Sequence, residues 1–177
     1  MTPDEFEQAG CAPPLSGLIP SDFVAVQCTF FEKSASLNWL VPVHQDLAIP
    51  VAERIDHPAL RAWSEKEGAL FVQPPVDFLA QLIAVRVHLD ACGAQDGPLR
   101  AIPGTHRRGH IPDDDAIALR ARGPEATLCA DRGDALVMRP LLLHASSKAT
   151  GTSRRRVLHF LFGPRQPPHG LRWQHAA

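Results

Sequence analysis

The chain has 177 residues, 45% of them hydrophobic and 21% charged, which is the composition and length of one globular domain. Its 18 basic and 19 acidic residues give a formal net charge of −1, so no overall charge attracts it to nucleic acid or to an anionic membrane. The start of the chain is acidic and polar, and no apolar run reaches membrane length. We therefore expect a cytoplasmic protein that forms a single domain over 1–177, with a loosely ordered segment at 1–22.

The predicted elements are short strands separated by proline and glycine. In chain order, we predict strands at 23–31, 37–44, 82–90, 97–102, 127–130, 135–139, 141–144 and 155–162. One helix is expected near 58–66, ending at Gly68, and another over 113–121, capped by Asp113 or Asp114. Many short strands with one or two helices indicate a β-sandwich or a jelly roll.

A His-x-Asp pair ends the second predicted strand, in which Pro42 indicates an edge or a bulge. Because side chains alternate along a strand, His44 and Asp46 face the same side. Two imidazoles and one carboxylate form the facial triad that binds non-haem Fe(II) and leaves positions open on it. His144, which ends an apolar strand, is the candidate second imidazole. A second His-x-Asp pair at 88–90 has the same spacing, so the spacing alone does not decide between the two pairs.

Three consecutive arginines, 154–156, begin the last predicted strand ten to twelve residues after His144. A hairpin of that length returns an arginine to the neighbourhood of His144. A guanidinium binds a carboxylate at two points, which suits the far end of a dicarboxylate co-substrate. Alternation places Arg155 on the opposite face from Arg154 and Arg156. The apolar residues at 158, 160 and 162 favour the face of Arg156 as the packed one, but residue 157 on the other face is also apolar, so both faces stay possible.

These motifs, in this order, resemble the phytanoyl-CoA dioxygenase-like branch of the Fe(II)/2-oxoglutarate-dependent oxygenases. The likeness is carried by VPVHQDLAIPVAER, VQPPVDFLAQLIAVRVHLD, GPLRAIPGTHRRGHI, GDALVMRPLLLHASS and RRRVLHF, and it extends over about residues 24–173. It implies a mainly β fold, a double-stranded β-helix (cupin-like jelly roll) with a few flanking helices. It also implies Fe(II), bound at the catalytic centre by His44, Asp46 and His144, and it leaves the pair at 88–90 with a structural role.

The resemblance further implies residues that bind 2-oxoglutarate as co-substrate. It assigns the outer carboxylate to Arg155, or to Arg156 or Arg154 if the hairpin is shifted by one residue, and it places the hydroxyl of Ser146 on the same carboxylate. Other candidates lie before or after the metal pair, and they are Lys33, Asn38, Gln27 and Trp63. Each of these four also has a purely structural interpretation, as a surface charge, a turn residue, a polar residue at the rim or a packed ring.

The activity implied by the resemblance is oxidation of a small molecule, with conversion of 2-oxoglutarate and O₂ to succinate and CO₂. Halogenating relatives carry a small residue in place of the carboxylate, so Asp46 favours hydroxylation, or a related desaturation or ring closure. One alternative is a cupin-type metalloenzyme that does not use 2-oxoglutarate, which would leave Arg155 without a role. Another is a non-catalytic jelly-roll binding module. Neither nucleic acid nor a membrane is an expected partner.

Overall fold

The computed structural model describes residues 17–176, so most of the predicted loose segment at 1–22 lies outside the described residues. The strands are β1 Phe23–Lys33, β2 Val41–His44, β3 Ile49–Val51, β4 Arg61–Lys66, β5 Ala69–Gln73, β6 Ile83–His88, β7 Leu99–Ala101, β8 Ala126–Leu128, β9 Ala135–Met138, β10 His144–Ser146 and β11 Arg155–Pro164. The helices are α1 Val76–Leu79 and α2 Asp113–Arg122, and Thr105–Arg108 forms a 3-10 turn. Within the described part of the chain, no helix is long and apolar enough to cross a membrane.

Two four-stranded antiparallel sheets face each other. The first sheet has the strand order β1-β11-β6-β9, and the second has the order β2-β10-β7-β8. Ala84 of the first sheet packs between the sheets against Leu99 of the second. The predicted fold class, a mainly β double-stranded β-helix with a few helices, is confirmed.

A third sheet, β3-β5-β4, packs with α1 and the end of the chain to form the largest apolar core. Ile49, Val72, Leu79 and Leu141 are almost completely buried there, and the ring of Trp173 packs beside them. Each such side chain contributes about 1.5–3 kcal/mol of hydrophobic stabilisation. This core lies at the opposite end of β1 and β11 from Lys33 and Arg155, so it fixes the strands while leaving polar side chains at their other end.

Both outer faces of the sandwich are also covered in part. Residues of α2 pack on Leu143 beside the second sheet. On the first sheet, alternate residues of β6, including Val85 and Val87, pack against Leu158 and other apolar residues of β11. Ile19 contacts this same face, so the described end of the segment that we expected to be loose is packed.

The prediction of a helix near 58–66 is wrong, because residues 61–66 form strand β4. Glu67 and Gly68 both have positive φ values, 51° and 77°. Two such residues form the two-residue turn that commonly joins twisted antiparallel strands, here β4 and β5. β4 therefore folds back on β5, and Trp63 packs against the main core. Gly68, interpreted from the sequence as a helix end, is the second residue of this turn. Strands β3 and β5 and helix α1 were not predicted at all.

The strands that bring the candidate ligands together are shorter than predicted. β2 begins at Val41 rather than at residue 37, because Leu37 closes a hydrogen-bonded turn with Ser34. β2 is an edge strand of its sheet, as Pro42 indicated. Strand β10 begins at His144, the last residue of the strand predicted at 141–144, because a turn precedes it. As a result, the last residue of β2 is paired with the first residue of β10.

Helix α2 matches its predicted position to within one residue, but its predicted cap is wrong. Pro112 is the N-cap residue, and no side chain in the described part of the chain caps the helix by a hydrogen bond. Asp113, Asp114 and Asp115 all lie in the first turn instead. Their charges interact favourably with the positive end of the helix dipole, so the acidic cluster stabilises the helix without a cap hydrogen bond.

Candidate metal centre and co-substrate site

His44, Asp46 and His144 meet where β2 and β10 pair. The two histidines are directly opposite each other in this pair, with ring centroids 4.3 Å apart. Nε2 of His44 lies 3.5 Å from one carboxylate oxygen of Asp46, and Nε2 of His144 lies 3.8 Å from the other. One possible ligand atom from each residue lies within 4.8 Å of the others. The structure therefore brings together the three residues that the sequence singled out.

Hydrogen bonds to the main chain determine which imidazole nitrogen is available to a metal. Nδ1 of His44 lies 2.8 Å from the carbonyl oxygen of Pro42, and Nδ1 of His144 lies 2.9 Å from that of Leu142. A carbonyl only accepts, so Nδ1 carries the proton in both rings and each Nε2 directs a lone pair towards Asp46. Metal-binding histidines are commonly oriented by their second nitrogen in this way. Two such nitrogens and a carboxylate oxygen fit Fe(II) with open positions.

The protonation states around Asp46 also suit a metal. Burial would raise the pKa of Asp46, but the positive charge that His44, His144 and His159 carry when protonated stabilises its carboxylate and holds that pKa well below its usual range. Burial lowers the pKa of His144 against the opposing effect of Asp46. Burial acts in the same direction on His44, but Asp46 and the carbonyl of Pro42 raise its pKa overall. Because metal binding needs neutral imidazoles, metal affinity falls as the pH falls through the pKa of His44.

Gln45, between the two ligands, faces away from them and anchors the loop that carries Asp46. Its Nε2 donates to the carbonyl oxygens of Leu141 (2.6 Å) and Gly109 (2.9 Å). Its Oε1 accepts a hydrogen bond from the main-chain N–H of Ile111 at 2.8 Å. Both the nitrogen and the oxygen of the amide are thus hydrogen-bonded to the main chain. Gln45 is a positioning residue that the sequence did not reveal.

Lys33, Ser146 and Arg155 meet at the other end of the interior. Lys33 and Arg155 are opposite each other in the β1–β11 pair and are only 0% and 3% exposed. Nζ of Lys33 donates to Oγ of Ser146 at 2.7 Å, and both Ser146 and Arg155 donate to the carbonyl oxygen of Gly97. In the described part of the chain, neither cation has a carboxylate partner. Buried charges usually do have one, so this end is suited to a bound anion.

Gly97 is required for this arrangement. Its φ of +65° is unfavourable for residues with a side chain, and an added Cβ would lie 2.5 Å from the carbonyl oxygen of Ser147 and 3.2 Å from Nζ of Lys33. The glycine therefore allows its own carbonyl oxygen to reach both Ser146 and Arg155.

The neighbouring arginines face outwards. Arg156 makes a two-point ion pair with Asp90, with both distances 2.8 Å, and Arg154 makes one with Glu32, with both distances 2.9 Å. Arg155 alone of the three is buried in the interior. The structure therefore does not bring Arg156, the alternative residue for 2-oxoglutarate, to the site, because its guanidinium is already paired.

The remaining sequence candidates are less closely connected to the site. The amide of Asn38 donates to and accepts from the main chain of Ala149, at 2.8 and 2.9 Å, so it braces a loop. Gln27 donates to Oγ1 of Thr29 at 3.0 Å. Trp63 packs against the main core within the third sheet. No contact in the described residues links these three side chains to the metal ligands.

Two buried residues beside Asp46 were not predicted. Nε2 of His159 lies 4.0 Å from a carboxylate oxygen of Asp46, and Nη1 of Arg86 lies 3.2 Å from Nδ1 of His159. A guanidinium cannot accept, so Nδ1 of His159 is the acceptor and its Nε2 carries the proton that faces Asp46. Burial, together with the charge of Arg86, lowers the pKa of His159 to about 4, so this ring is neutral at pH 7.

The fold and the cluster of side chains indicate a class of protein: a double-stranded β-helix in which two histidines and one carboxylate could hold non-haem iron. The sequence profile of the phytanoyl-CoA dioxygenase (PhyH) family matches residues 5–157, and the chain belongs to this family. The predicted family, and with it Fe(II) and 2-oxoglutarate as metal and co-substrate, is confirmed. No curated protein matches the sequence.

Solved structures with the same fold include AviO1 from Streptomyces viridochromogenes Tue57, which has 25% sequence identity and a TM-score of 0.56 over 82% of this chain and 53% of that chain. EvdMO1 has 21% identity and a TM-score of 0.59, over 92% and 31% of the two chains. The epimerase SnoN, solved with Fe³⁺, α-ketoglutarate and nogalamycin RO, has 14% identity and a TM-score of 0.62, over 90% and 59%. The present chain thus spans less than two thirds of each of these proteins.

Proposed function

We propose that the protein is an Fe(II)/2-oxoglutarate-dependent oxygenase that hydroxylates a small molecule. A C–H bond of the substrate becomes C–OH, and 2-oxoglutarate loses CO₂ to become succinate. One atom of O₂ enters the product and the other enters succinate. The observation that carries the proposal is that a facial set of candidate metal ligands shares one interior with buried cations that have no carboxylate partner among the described residues.

The residues divide into a metal end and a co-substrate end. His44 and His144 would bind Fe(II) through Nε2, and Asp46 would bind it through a carboxylate oxygen. The metal, when bound, supplies the oxidising chemistry with O₂ and the keto acid. Arg155 binds the outer carboxylate of 2-oxoglutarate at two points, while Lys33 and the hydroxyl of Ser146 contact the same group.

The same centre can also serve a desaturation or a ring closure. Structures of this fold include the α-ketoglutarate-dependent carbocyclase SnoK, with 14% identity and a TM-score of 0.55. Asp46 supplies a complete ligand set, which favours these oxidations over halogenation, and hydroxylation is our first choice among them. We further propose that residues 1–177 act as one cytoplasmic domain on a small molecule, without a nucleic-acid partner, since the net charge is −1.

The test is substrate-stimulated turnover. The protein is loaded anaerobically with Fe(II) and 2-oxoglutarate, exposed to O₂ with members of a small-molecule library, and assayed for succinate and for new products by mass spectrometry. We expect a product heavier than its substrate by one oxygen atom, formed in step with succinate, and neither product with Asp46→Ala. A product that has lost two hydrogen atoms indicates desaturation or ring closure. Failure of 2-oxoglutarate to bind to the metal-loaded protein contradicts the proposal.

A pH dependence is expected from Lys33. Burial, reinforced by the charge of Arg155, lowers the pKa of Lys33 to about 8 from 10.5. The unfolded chain therefore holds this proton to higher pH than the folded one does, so this group makes the free energy of unfolding rise between about pH 8 and 10.5. A bound dianion favours the ammonium form, so binding of 2-oxoglutarate should take up a proton above pH 8 and weaken as the pH rises further.

Calorimetry of 2-oxoglutarate binding in buffers of different ionisation enthalpy measures the number of protons taken up on binding. We expect the uptake in the wild-type protein and in the control Lys148→Met, which alters an exposed lysine, but not in Lys33→Met. Equal proton uptake by Lys33→Met and the wild type contradicts the assignment.

A further inference from the structure

The interior face of the first sheet carries its side chains in rows that run across β1, β11 and β6. Strand register aligns the rows as Lys33–Arg155, Phe31–Val157–His88 and Thr29–His159–Arg86. The first row holds the cations of the co-substrate end, and the third reaches the metal end through the contact between His159 and Asp46. His88 therefore lies in the row between the two ends.

His88 has a feature that a structural histidine does not explain. It is 2% exposed, and both of its ring nitrogens are buried without a hydrogen-bond partner. In the described part of the chain, the only other buried side-chain nitrogen or oxygen in this state is Nε of Arg155. Buried polar atoms nearly always have a partner, and leaving one without a partner destabilises the fold. The unpaired nitrogens therefore belong to two residues in adjacent rows of one face.

The surroundings of His88 favour a neutral ring. Burial, followed by the positive charges of Arg86 and Arg155, lowers the pKa of His88 to about 4. At neutral pH one ring nitrogen is then a donor and the other an acceptor. His44 and His144 show what an anchored histidine looks like in this fold, because each donates to a main-chain carbonyl. His88 makes no such bond to any residue of 17–176, so its donor is available to a ligand.

We propose that His88 is a further binding residue for 2-oxoglutarate, donating a hydrogen bond from its neutral ring to a carboxylate oxygen of the co-substrate beside Arg155. Successive rows on one strand face are about 7 Å apart, so His88 lies one row from Arg155 and one row from the row that contacts Asp46. A co-substrate that extends from the metal to Arg155 therefore passes the middle row. This inference rests on the proposed function, and it replaces the structural role assigned to the pair at 88–90 from the sequence.

The test compares His88→Leu, which removes the donor, with His88→Gln, which retains one. Calorimetry with the Mn(II)-loaded protein measures the affinity for 2-oxoglutarate without turnover. We expect His88→Leu to weaken binding about tenfold, as loss of a hydrogen bond to a charged group does, and His88→Gln to recover most of that loss. Affinity for Mn(II) alone should be the same in all three proteins, because His88 does not contact the metal ligands.

Thermal unfolding separates a binding role from a structural one. Leucine removes unpaired buried nitrogens, so ligand-free His88→Leu should unfold at the same temperature as the wild type or a higher one. The additional stabilisation by 2-oxoglutarate with Mn(II) should be smaller than in the wild type.

The possible failures can be told apart. Wild-type affinity in His88→Leu overturns this inference, as does a lower unfolding temperature of the ligand-free variant, and neither result affects Arg155 or the proposed function. If the Mn(II)-loaded wild type does not bind 2-oxoglutarate, the inference and the proposed function both fail.

Discussion

His144→Ala should abolish stoichiometric binding of Fe(II) while the protein stays folded. The substitution removes one of three ligands and, with it, the ring that the carbonyl of Leu142 orients. Loss of an outer-shell partner alone typically costs about 10–100-fold in metal affinity, so loss of a ligand should cost more than that. Alanine at the start of a short strand leaves the pairing of β10 with β7 intact. Metal analysis after anaerobic loading and dialysis, together with thermal unfolding, provides the measurement.

Two controls make this experiment specific. His110→Ala alters an exposed histidine outside the proposed ligand set and should retain one equivalent of iron. Asp90→Ala tests the competing His-x-Asp pair and should also retain the metal, because Asp90 is paired with Arg156. Full iron content in His144→Ala, or loss of iron in Asp90→Ala with retention in Asp46→Ala, contradicts the proposed ligand set.

The candidate ligands could be found in the sequence because few residue types suit Fe(II) and because alternation in a strand is a local property. Alternation placed His44 and Asp46 on one face, and although β2 ends at His44, the two side chains still lie 3.5 Å apart. Arg86 and His159 could not be found in the same way. They lie far apart in the chain, and only the register of β6 with β11 places them opposite each other and beside Asp46.

The third sheet shows a different limit of sequence interpretation. A charged stretch that ends at Gly68 suits both a helix with a glycine at its end and a hairpin with a glycine in its turn. The outcome depends on β5, whose residues pair with β4 on one side and with β3 on the other. Such pairing is a tertiary contact, so local helix propensity was overridden.

The choice between Arg155 and Arg156 also depended on tertiary structure. Leu158 and its apolar neighbours on β11 suggested that the face of Arg156 was the packed interior. That face is instead the outer side of the first sheet, where Leu158 packs against alternate residues of β6. An apolar strand face thus indicates packing without telling which side of the sandwich it packs on.

Arg155→Ala should weaken the binding of 2-oxoglutarate by roughly tenfold to a hundredfold, since a charge-assisted hydrogen bond contributes about 1.5–3 kcal/mol. Iron binding should persist, because the contacts described for Arg155 are at the Gly97 end of the interior. Arg154→Ala is the matched control, because it removes a neighbouring guanidinium that is exposed and paired with Glu32. Calorimetry on the metal-loaded proteins gives the dissociation constants of the wild type and of the three single-arginine variants. If Arg155→Ala binds 2-oxoglutarate like the wild type and Arg156→Ala does not, the co-substrate lies on the other face of β11.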